Sequence, residues 1–188
     1  MSEKEIVAQL RLGDETAFKE LVNLYQQKVY NTALNFLQNQ HDSEDIAQEV
    51  FIQVFHSIHQ FKGNAKLSTW IYRITVTKCL DHLRSKKRKK RFAFISSLFS
   101  EKHDLLYETP DFDHPAVQLD RKEEAAILFK LVNTLPESQK TAFLLNKIDG
   151  LSYSEIALIM DKSASAVDSL LQRAKQNLVI KINEKNLH

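Results

Sequence analysis

Glycine and proline are scarce, three of each in 188 residues. A β-rich fold needs many tight turns built from these residues, so a helical protein with few breaks is expected. The lone cysteine, Cys79, excludes an internal disulfide framework and fits a reducing compartment. Nowhere do eighteen apolar residues run together, so no transmembrane helix is expected. The opening stretch "MSEKEIVAQL" lacks the apolar core of a signal peptide, and the expected compartment is the cytosol. Metal and catalytic motifs are missing too. His56 and His59 have no further ligands nearby, Cys79 has no partner at zinc-type spacing, and no glycine-rich phosphate loop occurs. No enzyme, metal or cofactor is expected.

What is present is an ordinary globular content, 43% hydrophobic, with a net charge of +2 that hides strong segregation. Residues 1–61 carry four basic and nine acidic groups, whereas residues 62–91 carry eleven basic and one acidic. Residues 92–124 return to three against eight, and 125–188 hold eight against six. The run "RSKKRKKR", 84–91, has seven basic residues in eight. Such a local field suits a polyanion.

Apolar spacing of three and four from Asp14 to Asn39 predicts an amphipathic helix. "HDSED" reads as the start of a second helix, from about Ser43 to Gln60. "FKGNAKLS" reads as a loop, with Ser68 as N-cap of a third helix that enters the basic run with no Gly or Pro to stop it. Residues 92–115 are apolar and acidic but lack periodicity, and a connection this long marks a domain boundary. The expected architecture is all-α. Two small helical domains, 1–91 and 116–188, are joined by a long linker, the second being a helix-turn-helix (winged-helix-like) domain.

In the second half a helix from about Ala116 to Asn133 precedes "TLPE", read as a capping box of Thr134 with Glu137. Gly150 suits the left-handed position after a helix. Ser152 with Glu155 forms a second box, "DKS" is a turn, and Ser163 caps the last helix. Two helices, the first barely two turns long, joined by three residues, describe a helix-turn-helix. Ala157 lets the helices approach; Ile156, Met160, Val167 and either Leu170 or Leu171 fill the wedge. The second helix would present Ser163, Ser165, Ala166, Asp168, Ser169 and Gln172 to the major groove, with Arg173 and Lys175 further along. A helical hairpin that binds nothing would show the same spacing.

In the first half, "KLSTWIYRITVTKCLDHLRSKKRKKR" combines a loop, a tryptophan and a helix with a basic end. Basic groups along a helix track phosphates, and aromatics stack bases. Trp70 and Ile71 also suit a plain core, and the basic run a solvated helix end or a localisation signal. On "DSEDIAQEVF" the acids lie opposite the apolar stripe, as on a solvated face or a surface for a basic protein partner.

The blocks "FKELVNLYQQKVYNTALNFL", "DSEDIAQEVFIQVF", "FKGNAKLSTWIYRITVTKCLDHLRSKKRKKR", "LPESQKTAFLLNKIDGLSYSEIALIM" and "SAVDSLLQRAKQNL", in this order, closely resemble bacterial sigma factors of the extracytoplasmic-function type. The resemblance implies a non-enzymatic initiation factor whose partners are core RNA polymerase, promoter DNA and an anti-sigma protein. By that similarity Asp45, Gln48 and Glu49 meet the polymerase clamp. Loop residues Lys62, Gly63, Asn64, Ala65, Lys66 and Ser68 hold a base flipped from the minus-ten element. Trp70, Thr77, Lys78, Arg84, Lys86, Lys87 and Arg88 contact the duplex edge and backbone. The second half reads the minus-thirty-five element, and the linker threads towards the polymerase active site. A stand-alone helix-turn-helix regulator is the competing reading. The chain departs from the family pattern at Thr77, usually Asn, at Asp161, often Gly, and at Asp168 and Leu170, often basic.

Overall fold

A computed structural model describes residues 1–98 and 122–186. Helices form throughout, and no strand occurs among the described residues, so no β wing accompanies the helix-turn-helix there. Helix α1 (Glu3–Arg11) is absent from the elements that the apolar spacing predicts. Its signal is a capping box, in which the Ser2 hydroxyl accepts from the Glu5 N–H and the Glu5 carboxylate from the Ser2 N–H. Ile6, Val7 and Leu10, three and four apart, bury its inner face.

Helix α2 (Glu15–Leu37) starts at Asp14, which accepts from the Ala17 N–H at 2.7 Å. It stops at Gln38, whose φ of 55° leaves the right-handed region. Helix α3 (Gln40–Ser57) begins ahead of the expected Ser43, because Asn39 takes the cap by accepting from the Asp42 N–H at 2.8 Å. A 3₁₀ turn, Ile58–Gln60, leads to the loop. Helix α4 (Leu67–Leu98) is 32 residues long, about 48 Å at 1.5 Å per residue, and carries the whole basic run. Ser68 is not its cap: the helix opens at Leu67 and the Trp70 N–H already donates to the Lys66 carbonyl. The linker beyond Leu98 and the helix start expected at Ala116 lie outside the described residues.

The second half contains α5 (Lys122–Val132), α6 (Glu137–Phe143), a π turn (Leu144–Ile148), α7 (Tyr153–Met160) and α8 (Ala164–Asn186). The expected Thr134–Glu137 box does not form. The Thr134 hydroxyl donates back to the Leu131 carbonyl, Pro136 occupies the cap position, and Glu137 bonds elsewhere. The Ser152–Glu155 box does form. Gly150 adopts φ +71° and Asp161 φ 54°, a left-handed position that Asp tolerates better than most residues. Ser163 caps α8, accepting from the Ala166 N–H.

Helices α2, α3 and α4 pack on one another with α1 against α2, and α6, α7 and α8 form the second group. The two groups touch through α4 against α7 and α2 against the π turn. Their buried apolar side chains form one contiguous cluster reaching from Ile6 to Leu178.

Candidate nucleic-acid interface

The heptad-like burial of α3 and α4 leaves a groove between them. Ile46 and Val50 face inward, so Glu49 and Gln53 line its α3 wall. Leu67, Ile71 and Val76 anchor α4, which turns Trp70, Arg73, Thr77, Lys78, Asp81 and Arg88 to the other wall. The groove encloses about 700 Å³. Lys78 Nζ crosses it to Glu49 at 2.9 Å. The 62–66 loop lies next to the end of the groove marked by Gln60 and Trp70, with Lys62, Gly63 and Asn64 exposed and Gly63 at φ +75°. A smaller hollow of about 300 Å³ sits between this loop and Trp70. Trp70 is half-buried, its indole 5.3 Å from the Phe61 ring and tilted to it, and it lines that hollow. It is neither wholly core nor free.

The basic run is not uniformly exposed. Lys86 Nζ donates to Asp42 at 3.0 Å, and His82 Nε2 lies 3.3 Å from the same carboxylate without hydrogen-bond alignment. Burial pushes Asp42 up, but Lys86 and His82 together hold it below the ordinary carboxylate value. Arg84 makes a fork to Glu137, at 2.6 and 3.3 Å, and also reaches Asp81 at 3.2 Å. Lys87, Arg88, Lys89, Lys90 and Arg91 are exposed and reach into solvent, whereas Lys86 is partly covered.

On α3, Asp45, Gln48 and Glu49 lie along one flank, away from the buried stripe. His41 lies 3.6 Å from Asp45. In the helix-turn-helix, Ile156, Val167 and Leu171 are buried and Leu170 is only partly covered, so Leu171 is the inner wedge residue. Ser163, Ser165, Ser169, Gln172, Arg173 and Lys175 are exposed on the outer face of α8, and Ala166 and Asp168 are half-buried. Gln172 donates to Asp168 at 2.9 Å, and the Ser169 hydroxyl to the Ser165 carbonyl. The acceptor suited to a cytosine amino group therefore already has a neighbour on its own helix.

Sequence reasoning missed the groove residues Arg73, Asp81 and His82 and the contacts between the two groups. Asp149, half-buried, accepts from Thr32 at 3.1 Å and Asn35 at 2.8 Å on α2. Burial pushes its carboxyl up to about 6, against the pull of those two donors. Lys140, buried, donates to the Phe36 carbonyl at 3.1 Å and to Asn133 at 2.6 Å, and burial lowers it to about 8. Cys79 is fully buried, and burial pushes its thiol up to about 12, which keeps it protonated near neutrality. No group of three or more His, Cys, Asp or Glu residues suited to a metal occurs among the described residues.

Comparison with known proteins bears on both groups of helices. The family model Sigma-70 region 2 matches residues 21–89, and Sigma-70, region 4 matches residues 125–178. The chain is 33% identical over 182 residues to the ECF RNA polymerase sigma-E factor of Haemophilus influenzae, covering 97% of this chain and 96% of that one. The chain belongs to the extracytoplasmic-function sigma factors of the sigma-70 family. It is also 29% identical over 174 residues to the RNA polymerase sigma-H factor of Pseudomonas aeruginosa, across 93% and 90% of the two chains. Among solved structures, CnrH in complex with the cytosolic domain of CnrY matches with a TM-score of 0.68 at 20% identity, over 97% of both chains. That likeness concerns the fold. In this sigma factor region 2 is thus α2–α4 with the groove, and region 4 is α5–α8 with the helix-turn-helix. Helix α1 precedes the region 2 match and packs on α2.

Proposed function

We propose that this sigma factor binds core RNA polymerase through Asp45, Gln48 and Glu49, melts the minus-ten element with region 2 and reads the minus-thirty-five element with α8. It is an alternative sigma factor that directs the polymerase to promoters, as region 2 and region 4 together in one chain support. It acts without catalysis of its own, in the cytoplasm. None of its described helices is long and apolar enough to cross a membrane. The proposed units are 1–91, a connecting 92–115 and 116–188, with an anti-sigma protein as the further partner.

The observation that carries the minus-ten role is the hollow between the 62–66 loop and Trp70, at the end of a groove walled by Arg73, Thr77, Lys78 and Arg88. An unstacked base would find an aromatic face there, and its flanking phosphates would find cations, the arrangement single-strand binders use. The exposed hydroxyls and amide of Ser165, Ser169 and Gln172 support base reading by α8. Run-off transcription with core polymerase on a randomised promoter library tests the reading. The wild type yields enriched elements at both positions. Asp45→Lys with Glu49→Lys abolishes co-purification with core while leaving the helical circular dichroism unchanged. Retained recruitment would remove this flank of α3 from the interface.

A further inference from the structure

Three cations on the proposed minus-ten face of region 2 are already in contact with carboxylates from region 4. Lys66, in the loop, lies 3.7 Å from Glu155. Arg73, on the groove wall, lies 4.0 Å from Asp161. Arg84, at the head of the basic run, makes its two-pronged contact with Glu137. The acids stand on three separate elements: the first turn of α6, the first turn of α7, and the left-handed turn residue of the helix-turn-helix. Between them Leu158 of α7 lines the hollow beside Trp70 and Arg73, half of its surface exposed. A carboxylate beside each cation and an apolar side chain at the stacking hollow reproduce the chemistry of a DNA strand, phosphates outside and base inside.

We infer that Glu137, Glu155 and Asp161 form an acidic row that docks region 4 on the minus-ten face of region 2 as a surrogate for single-stranded DNA. The inference rests on the minus-ten role proposed for that face. Of the three acids only Glu155 also serves its own helix, in the box with Ser152. Glu137 forgoes a local capping box for Arg84, and Asp161 fills a left-handed position that Gly would occupy with less strain. Exposed ion pairs are individually weak and screened by salt, so the row biases the arrangement without sealing it. A strand with a denser line of negative charge displaces it. Ser165, Ser169, Gln172 and Arg173 remain exposed in the docked arrangement. The docked arrangement therefore covers the minus-ten face and leaves the reading face of α8 open.

The test uses the full chain without polymerase and a fluorescein-labelled 15-nucleotide single strand of random sequence, followed by anisotropy. The contact variant is Glu137→Gln, Glu155→Gln and Asp161→Asn. Gln in place of Glu155 still serves the Ser152 box, Glu137 makes no box to lose, and Asn in place of Asp161 still accepts the left-handed turn, so the fold is kept. A charge-matched control, Glu15→Gln, Glu44→Gln and Glu184→Gln, removes three exposed acids away from the contact. The contact variant is expected to bind about fivefold tighter at about 0.1 M salt, since exposed pairs each contribute up to a factor of about five. The control should change by less than about twofold. Amide exchange across residues 62–73 should also quicken in the contact variant alone. Equal shifts in both variants, or no gain in affinity and no change in exchange, overturn the inference. Holoenzyme transcription separates this failure from that of the underlying reading. If Trp70→Ala and Lys62→Ala leave open-complex formation intact, the minus-ten role itself is wrong.

Discussion

Asp149 sits where region 4 meets region 2, with two donors from α2 on its oxygens and Tyr72 and Cys79 close by. Taking a carboxylate out of water costs more than two neutral donors return, so its value rises from 3.8 to about 6. The sign of the pH effect follows. Between pH 6 and 4 the folded chain binds the proton that the unfolded chain does not, so this residue adds stability as pH falls through 6 and no more below about 4. Lys140 acts in mirror image: with its value lowered to about 8, it adds stability as pH rises above 8. Near neutrality both groups are charged in surroundings that disfavour it. Asp149→Asn keeps an oxygen for Asn35 and lets the Thr32 hydroxyl turn to accept, with no charge to desolvate. It should raise unfolding free energy at pH 7.5 by about 1–2 kcal/mol. In urea titrations, the difference from wild type should shrink towards pH 4. A constant difference across that range would place the carboxylate in water.

At the scale of elements, the basic end of α4 divides by what each residue touches. Arg84 and Lys86 are tied to Glu137 and Asp42, whereas Lys87, Lys89 and Lys90 project towards solvent from a helix that nothing interrupts before Leu98. Changing Lys87, Lys89 and Lys90 to Gln should weaken promoter-complex formation alike on all sequences. It should also reduce the slope of log affinity against log salt by up to about 2.7, about 0.9 for each phosphate left without its lysine. Lys86→Gln should act through α3–α4 packing instead, lowering stability by about 1 kcal/mol with little change in salt slope. Matching slopes for wild type and the triple variant would show that the run does not grip DNA. The run was legible because it is contiguous and the helix carrying it lacks breakers. The Ser152–Glu155 box and the turn at Asp161 were legible for the same reason, since both are local. Thr134–Glu137 looked equally local and failed, because Arg84, 53 residues away, claims the carboxylate. Helix α1 was missed although Ser2, Glu5, Ile6 and Leu10 carry its whole signal within nine residues. The groove came out incomplete: Trp70 stood out by residue type, and Thr77 and Lys78 came only with the family resemblance, but Arg73 and His82 could be assigned to it only once α3 lay against α4.

For the whole molecule, composition divides the chain between two helical groups, and the structure joins them across α2, α4, α7 and the π turn. That junction was not legible because its members, Thr32, Asn35, Lys140 and Asp149, are isolated polar residues with no periodicity to mark them. Its energetics set how the chain unfolds. A contiguous apolar cluster, with buried polar groups that find partners across the junction, makes each half depend on its neighbour. The wild type should therefore melt in one calorimetric transition, with van't Hoff and calorimetric enthalpies equal. Asn35→Ala removes the shorter bond to Asp149 and leaves a buried carboxylate underserved, a penalty of about 1–3 kcal/mol at the junction. That penalty falls on the junction and on neither half alone. The transition should split, the less stable half melting first and Asp149 reverting towards an ordinary carboxylate as it is released into water. If Asn35→Ala lowers the midpoint but leaves a single transition with matched enthalpies, the halves are coupled by the apolar cluster, and the polar groups only set its register.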